Sequence, residues 1–301
     1  MKAIKKIDIH AHATPYPSYA PKNVETGYRQ VCAEEVIAFY DKLNIERGIL
    51  LPLCSPEYIF EIVTSESCKA ISDKYPDRFS WFCGIDPRMA QNRTDSDLGM
   101  LMEHYKSLGA LGIGELTANM YADDVRMDNL FYHAARCSMP VTIHIAPRIG
   151  DFYGIVDDLG LPRIESMLKK HKDLKLIGHS QLFWAEMSSD VNEQNRTGYP
   201  TGRVTEGRIA KLLREYEGLY CDLSAGSGAN SLMRDPDYAV RFIEEFSDRL
   251  LYGCDICTVT NTHPYRFDAF LTELLEQGGI SKENYYKLVR GNAEKLLGFN
   301  R

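Results

Sequence analysis

Ile7-Asp8-Ile9-His10-Ala11-His12 reads as a short β-strand that finishes in two imidazoles. Strand side chains alternate between faces, which predicts Asp8, His10 and His12 on one side and Ile7, Ile9 and Ala11 on the other. Neutral imidazole is a common metal ligand, and two of them one residue apart can hold one divalent ion at roughly 2.0–2.1 Å each. Two unrelated surface or core histidines are the plainer alternative. The metal reading therefore stands only if the rest of the chain supplies further ligands.

Outward from this stretch, strand and helix patterns alternate. Apolar runs at 47–53, 79–85, 111–116, 141–146, 174–178, 219–224 and 250–254 follow the opening strand. Amphipathic patterns at 33–43, 56–75, 98–108, 128–138, 162–171, 204–216, 238–246 and 265–277 fall between them, and 282–297 closes the chain. Strands that are apolar on both faces, separated by helices, demand parallel pairing with helical crossovers. Eight such units in a chain of this length predict an α/β fold, a closed (β/α)8 TIM barrel, in one domain over 1–301. A doubly wound open sheet is the structural alternative. The polar connection 180–202 exceeds the about 12–15 residues beyond which a loop usually serves as a lid or binding segment.

Composition narrows the functional classes. The chain has 301 residues, 44% of them hydrophobic, which is ample for a large core. Its 35 Lys and Arg against 42 Asp and Glu give −7, a balance unsuited to a phosphate backbone, so nucleic acid is an unexpected partner and a small-molecule substrate the expected one. No apolar run of membrane-spanning or signal-peptide length is evident, which points to a cytoplasmic protein away from membranes. The eight cysteines are scattered as small core residues would be, and a homodimer is compatible with a chain of this kind.

In a TIM barrel the active groups lie at the C-terminal ends of the strands. The first strand ends in His10 and His12, the fourth in Glu115, the fifth in His144, the sixth in His179 and the eighth in Asp255. His104, His133 and His171 fall inside helical patterns, and His263 lies in the loop beyond Asp255. Each rim residue has an ordinary explanation when taken singly. Their coincidence carries the argument, because four imidazoles and two carboxylates gathered at one mouth need a cation to satisfy them. Cys254-Asp255-Ile256-Cys257 has the spacing of a redox or zinc pair, but no second pair accompanies it and alternation sends Cys254 to the helix side. Asp8, deeper in its strand, suits an orienting role better than ligation.

These residues resemble the amidohydrolase superfamily, and within it the amidohydrolase-related branch that includes aminocarboxymuconate-semialdehyde decarboxylase-like enzymes. The resemblance is carried by Asp8-Ile-His10-Ala-His12, Thr142-Ile-His144, Ile177-Gly-His179-Ser180 with Phe183-Trp184, Asp222-Leu-Ser224-Ala225 with Arg234-Asp235-Pro236, Tyr252-Gly-Cys-Asp255 and Gly291-Asn292-Ala293-Glu294. The opening motif alone is shared with polymerase-and-histidinol-phosphatase-type phosphoesterases; the ordered set is far more specific. The resemblance implies a zinc-type ion held by His10, His12, His144 and Asp255, with His179 as the catalytic imidazole. Many members of the branch lack an acid on the fourth strand, so Glu115 is either a ligand, a substrate contact or a bridge to a second ion; one ion is favoured, and Mn2+ would also suit the donor set.

The chemistry expected of such a set is metal-dependent hydrolysis of an ester, lactone or amide in a small, carboxylated substrate. Zn2+ lowers the pKa of its water toward about 7, Asp255 can take and return a proton, and His179 can stabilise developing negative charge. Arg148, just beyond the strand of His144, is placed to pair with a substrate carboxylate, and Trp184 with the loop through Tyr199 to cover the pocket. Decarboxylation or hydration of an unsaturated acid would use the same groups. A non-catalytic metal-binding barrel and a phosphoesterase are the other classes; no Lys or Arg cluster beside the histidines supports the latter.

Overall fold

The computed structural model describes residues 4–24, 26–58 and 60–299. Its strands are β1 (Lys6–Ala11), β2 (Ile45–Leu50), β3 (Phe79–Trp81), β4 (Ile113–Leu116), β5 (Val141–Ala146), β6 (Ile155–Val156), β7 (Leu176–His179), β8 (Leu219–Asp222) and β9 (Leu250–Leu251). Every pairing between them is parallel. One run is β1-β2-β3 and the other β4-β5-β7-β8-β9, with β6 lying beside β5. Backbone hydrogen bonds carry the pairing across both seams. At one, Leu111 N–H donates to Trp81 O, Cys83 N–H to Gly112 O and Gly114 N–H to Cys83 O; at the other, Ile9 N–H donates to Tyr252 O and Asp255 N–H to His10 O. The described strands other than β6 thus form the closed ring of a TIM barrel.

Two apolar layers hold the ring. Ile7, Ile9, Ile49, Phe82, Ile177 and Leu251 fill the barrel interior, with Ala293 and Leu297 of the closing helix packed against them. A larger layer joins the outer strand faces to the helices. The helix Ala33–Leu43 shows why: it buries Ala33, Val36, Phe39, Tyr40 and Leu43, one stripe at helical spacing, starts at a capping box between Cys32 and Glu35, and stops at Asn44 in the left-handed region. Among the described residues no helix is long and apolar enough to cross a membrane.

Four local readings are corrected. Helix 56–75 is only Ser65–Lys74, capped by Thr64; ahead of it Leu53 and Val63 pair antiparallel, so the chain turns back on itself before the helix begins. The connection 180–202 contains the helix Gln181–Ala185, and buried Arg196 pins its later part by donating from Nη2 to Asp157 O at 3.0 Å. An unanticipated helix, Ala225–Met233, is rich in Gly and Ser, whose helix propensity is poor but whose size allows close packing; a Cβ on Gly228 would lie 2.5 Å from Leu223 O. Finally, β1 does not alternate regularly. Between Asp8 and Ala11 it advances three residues while β2 advances two, Gly48 to Leu50, which is a β-bulge. Ile7 and Ile9 therefore face the interior and Asp8 faces the helices, yet His10 turns inward with His12.

Candidate metal centre

The bulge decides what the first strand delivers. Asp8 Oδ1 accepts from the backbone N–H of His10 and Cys254, and its Oδ2 accepts from Tyr40 Oη at 2.6 Å. It braces the seam between β1 and the chain after β9, on the opposite side from the imidazoles it was expected to accompany. Burial pushes its carboxyl up to about 7, against the hydrogen bonds from Tyr40 and the backbone.

The strand ends bring six of the expected residues together. His10 Nε2 and His12 Nε2 are 2.9 Å apart. Glu115 Oε2 lies 3.7 and 3.5 Å from them, and Asp255 Oδ1 3.8 and 3.6 Å. His144 Nδ1 meets Glu115 Oε1 at 2.6 Å, and His179 Nε2 is 3.8 Å from Asp255 Oδ2 and 4.0 Å from Glu115 Oε1. His10, His12, Glu115, His144 and His179 are all at least nine-tenths buried. Potential ligand atoms fall into overlapping triads, His10/His12/Glu115, His10/His179/Asp255 and Glu115/His144/His179.

The proton positions show that these donors fit a cation. His12 Nδ1 lies 3.1 Å from Leu51 O, which can only accept, so Nδ1 holds the proton and Nε2 is a lone pair. His10 Nδ1 faces Asp222 Oδ2 at 2.6 Å, which leaves its Nε2 pointing at that lone pair. At 2.9 Å these two nitrogens need a positive charge between them, either a proton on His10 or a metal ion. His144 Nε2 is buried with no hydrogen-bond partner among the described residues. A divalent ion with mixed imidazole and carboxylate ligands answers all of these groups at once.

Electrostatics agree. Burial alone would lift the carboxyl pKa of Glu115, Asp222 and Asp255, but neighbouring imidazoles override it: His144, His10 and His12 hold Glu115 well below the usual range, His10 and His179 do so for Asp222, and His10, His12 and His179 lower Asp255. His10 runs the other way, since burial would lower it and the charges of Asp222 and Asp255 raise it well above the ordinary value. His144 is lowered by burial, against Glu115.

Several members of the site had been given no role beforehand. Asp222, at the end of β8, orients two imidazoles, His10 and His179 (3.1 Å), and accepts from Ser224 Oγ at 2.9 Å; its polar side chain at a strand end was the available signal. A Cβ on Gly253 would lie 2.6 Å from Asp222 Oδ1, so this carboxylate fits only against glycine. Tyr153 packs on His144 with ring centroids 4.6 Å apart, Phe152 stacks on Tyr153 at 4.1 Å and Tyr58 meets Tyr153 edge-on at 4.9 Å. Burial keeps both phenols protonated, and the charges of Glu115 and Asp255 add to the effect. These rings arrive on loops, for which periodicity gives no signal.

Neither expected substrate contact bonds to the six rim residues among the described residues. Arg148 has a side chain 76% exposed, 3.4 Å from Asp151, and no bond joins it to the cluster among the described residues. Trp184 is buried beneath the rim, donating from Nε1 to Asp222 O at 2.9 Å. His263 donates to Cys254 O at 2.7 Å and so supports the Asp255 turn. Cys254 and Cys257 are free thiols, and Cys257 Sγ lies 3.3 Å from Asp255 Oδ1.

Solved structures share this architecture. A 2,6-dihydroxybenzoate decarboxylase from Rhizobium matches with a TM-score of 0.64 at 15% identity, covering 98% of this chain and 99% of that one. A dihydroxybenzoic acid decarboxylase from a Polaromonas species, with bound manganese and the inhibitor 2-nitroresorcinol, gives 0.62 at 18% identity, with 98% and 97% covered. An amidohydrolase from Burkholderia multivorans with bound HEPES gives 0.65 at 13% identity, with 98% and 99% covered. No curated protein matches the sequence. The amidohydrolase family model matches residues 72–299, most of the chain, and the chain belongs to that family.

Proposed function

We propose that this enzyme hydrolyses a lactone, ester or amide of a small acid, using one divalent ion, Zn2+ in first place and Mn2+ in second, held by His10, His12, His144 and Asp255 with Glu115 completing the set. The observation that carries the reading is the sign of the charge at the mouth. Glu115, Asp222 and Asp255 gather there, and no Lys or Arg bonds to them among the described residues. A divalent ion offsets only two of these three charges, so a carboxylate bound as the reacting group would add to a negative balance, whereas a neutral carbonyl would not. A bound divalent ion supplies Lewis-acid polarisation of that carbonyl and makes water a better nucleophile near neutral pH.

The chain's own groups do the rest. Asp255, held ionised, takes the proton of the attacking water as its oxygen bonds to the carbonyl carbon. His179 Nε2 lies 3.8 Å from Asp255 Oδ2, on the reacting side, while Nδ1 is fixed by Asp222 and Ser224 Oγ (3.2 Å). The bond to the leaving oxygen or nitrogen then breaks, and the same proton goes to it. The protonated phenols of Tyr58 and Tyr153 are hydrogen-bond donors for the developing oxyanion.

Decarboxylation is the second reading. It is favoured by the aromatic wall of Tyr58, Phe152 and Tyr153, which suits a flat substrate, and by the likeness to dihydroxybenzoate decarboxylases. A panel of lactones, esters, amides and aromatic or unsaturated carboxylates tests both. Acid release from the neutral carbonyl compounds is expected; carbon dioxide release with no hydrolysis would overturn the proposal.

A further inference from the structure

The connection after His179 roofs a second, smaller cavity, lined by Gln181, Trp184, Tyr199, Ser227, Asn230 and Arg234 among others. Two of these carry unanswered polar atoms. All three guanidinium nitrogens of Arg234, and Ser227 Oγ, are shut off from solvent without a hydrogen-bond partner among the described residues. A guanidinium has five N–H donors, and burying its charge unpaired is costly. The nearest carboxylates do not bond to it: Asp235 spends its oxygens on the N–H groups of Val204 (2.8 Å) and Tyr238 (3.2 Å), and Asp190 is exposed. Burial lowers the Arg234 pKa, with Asp190 and Asp235 opposing from a distance.

The roof is fastened. Asn230 Nδ2 donates to Pro200 O at 2.9 Å, Arg196 anchors the loop to Asp157, and Ser188 pairs with Glu206. Tyr199 lines this cavity and reaches the start of the helix Ala225–Met233, where a Cβ on Gly226 would lie 3.3 Å from its Oη. Water could satisfy the N–H groups but would leave the cation without a counter-charge.

We propose that Arg234 and Ser227 form an anion subsite behind Tyr199, which takes one compact monoanion, either the distal carboxylate of the substrate or a free small anion. The first source rests on the hydrolase reading above; anion binding itself does not.

Bromide is the probe. Crystals soaked in bromide are expected to show an anomalous peak at hydrogen-bond distance from the Arg234 guanidinium, and tenfold excess over Kd should raise Tm by about 2–4 °C at constant ionic strength. Arg234→Met should flatten that response and be no less stable than wild type in anion-poor buffer, because it removes an unpaired buried charge. Should that variant misfold, Ser227→Ala is expected to weaken bromide binding several-fold. Density for water alone at Arg234, with equal bromide responses in wild type and Arg234→Met, would overturn the proposal. In metal-loaded protein, glutarate displacing bromide better than acetate supports the substrate carboxylate as occupant; equal displacement overturns that source and leaves a free anion. None of these readouts needs turnover, so a failed hydrolase reading is told apart from a failed subsite.

Discussion

The lower and upper halves of the barrel interior are made by the same strands and obey opposite rules. Below, Ile7, Ile9, Ile49, Phe82, Ile177 and Leu251 are dry, apolar and mutually packed. A residue or two further along the chain stand His10 and His179, and the Asp222 and Asp255 carboxylates share their level. That upper half is almost as buried, yet it contains two imidazole nitrogens that need a proton or a cation between them and an orphaned His144 nitrogen. The lower half is complete in the chain alone and supplies stability. The upper half is complete only with a ligand, and its strain is tolerated because the layer beneath holds the strand ends in place.

The division can be broken by substitution. Asp255→Asn should cut turnover by about 10²–10⁴-fold with little change in apo stability, measured as kcat beside a denaturant melt. Ile177→Ala should do the reverse, costing about 2–5 kcal/mol in urea unfolding while ion stoichiometry is unchanged. If Ile177→Ala instead abolished binding in a still-folded protein, the two halves would not be separable. Asp222→Asn sits on the boundary and should weaken ion affinity by about 10–100-fold, read by competition with a chelating dye.

The pH dependence sharpens the same contrast. Since His10 has its folded pKa raised, it stabilises the ion-free protein below the unfolded value of about 6.5, and that contribution is lost as pH climbs through the folded value. Ion binding has to expel that proton, so affinity should rise by up to about tenfold per pH unit over that interval. The Tm gain on adding Zn2+ is therefore expected to be larger at pH 8 than at pH 6. A gain that shrinks with pH would contradict the assignment of His10. Arg148→Ala, at the exposed rim, should change stability by no more than about 0.5 kcal/mol and ion affinity not at all.

The barrel was legible because pattern and chemistry changed together at five of the eight expected strand ends: apolar runs gave way to His10, Glu115, His144, His179 and Asp255, and those residues meet. What escaped the sequence was geometry that leaves no compositional mark. One extra residue in β1 reversed the face of Asp8 without altering any hydrophobic pattern. Thr64 ended the reading of one long helix through its cap, and the small residues of Ala225–Met233 hid a helix that packing alone favours. Tyr58, Phe152 and Tyr153 reach the mouth on loops, whose course depends on contacts distant in sequence. Arg148 shows the converse, since closeness to His144 along the chain did not bring its side chain inward.

Crystals loaded with Zn2+ and measured at the metal's absorption edge test the central claim most directly. The account predicts one anomalous peak at roughly 2.0–2.1 Å from both His10 Nε2 and His12 Nε2, with Asp255 and His144 in the same coordination sphere. A peak elsewhere in a stoichiometrically loaded protein, or one that leaves Asp255 and His144 unbound, would contradict it.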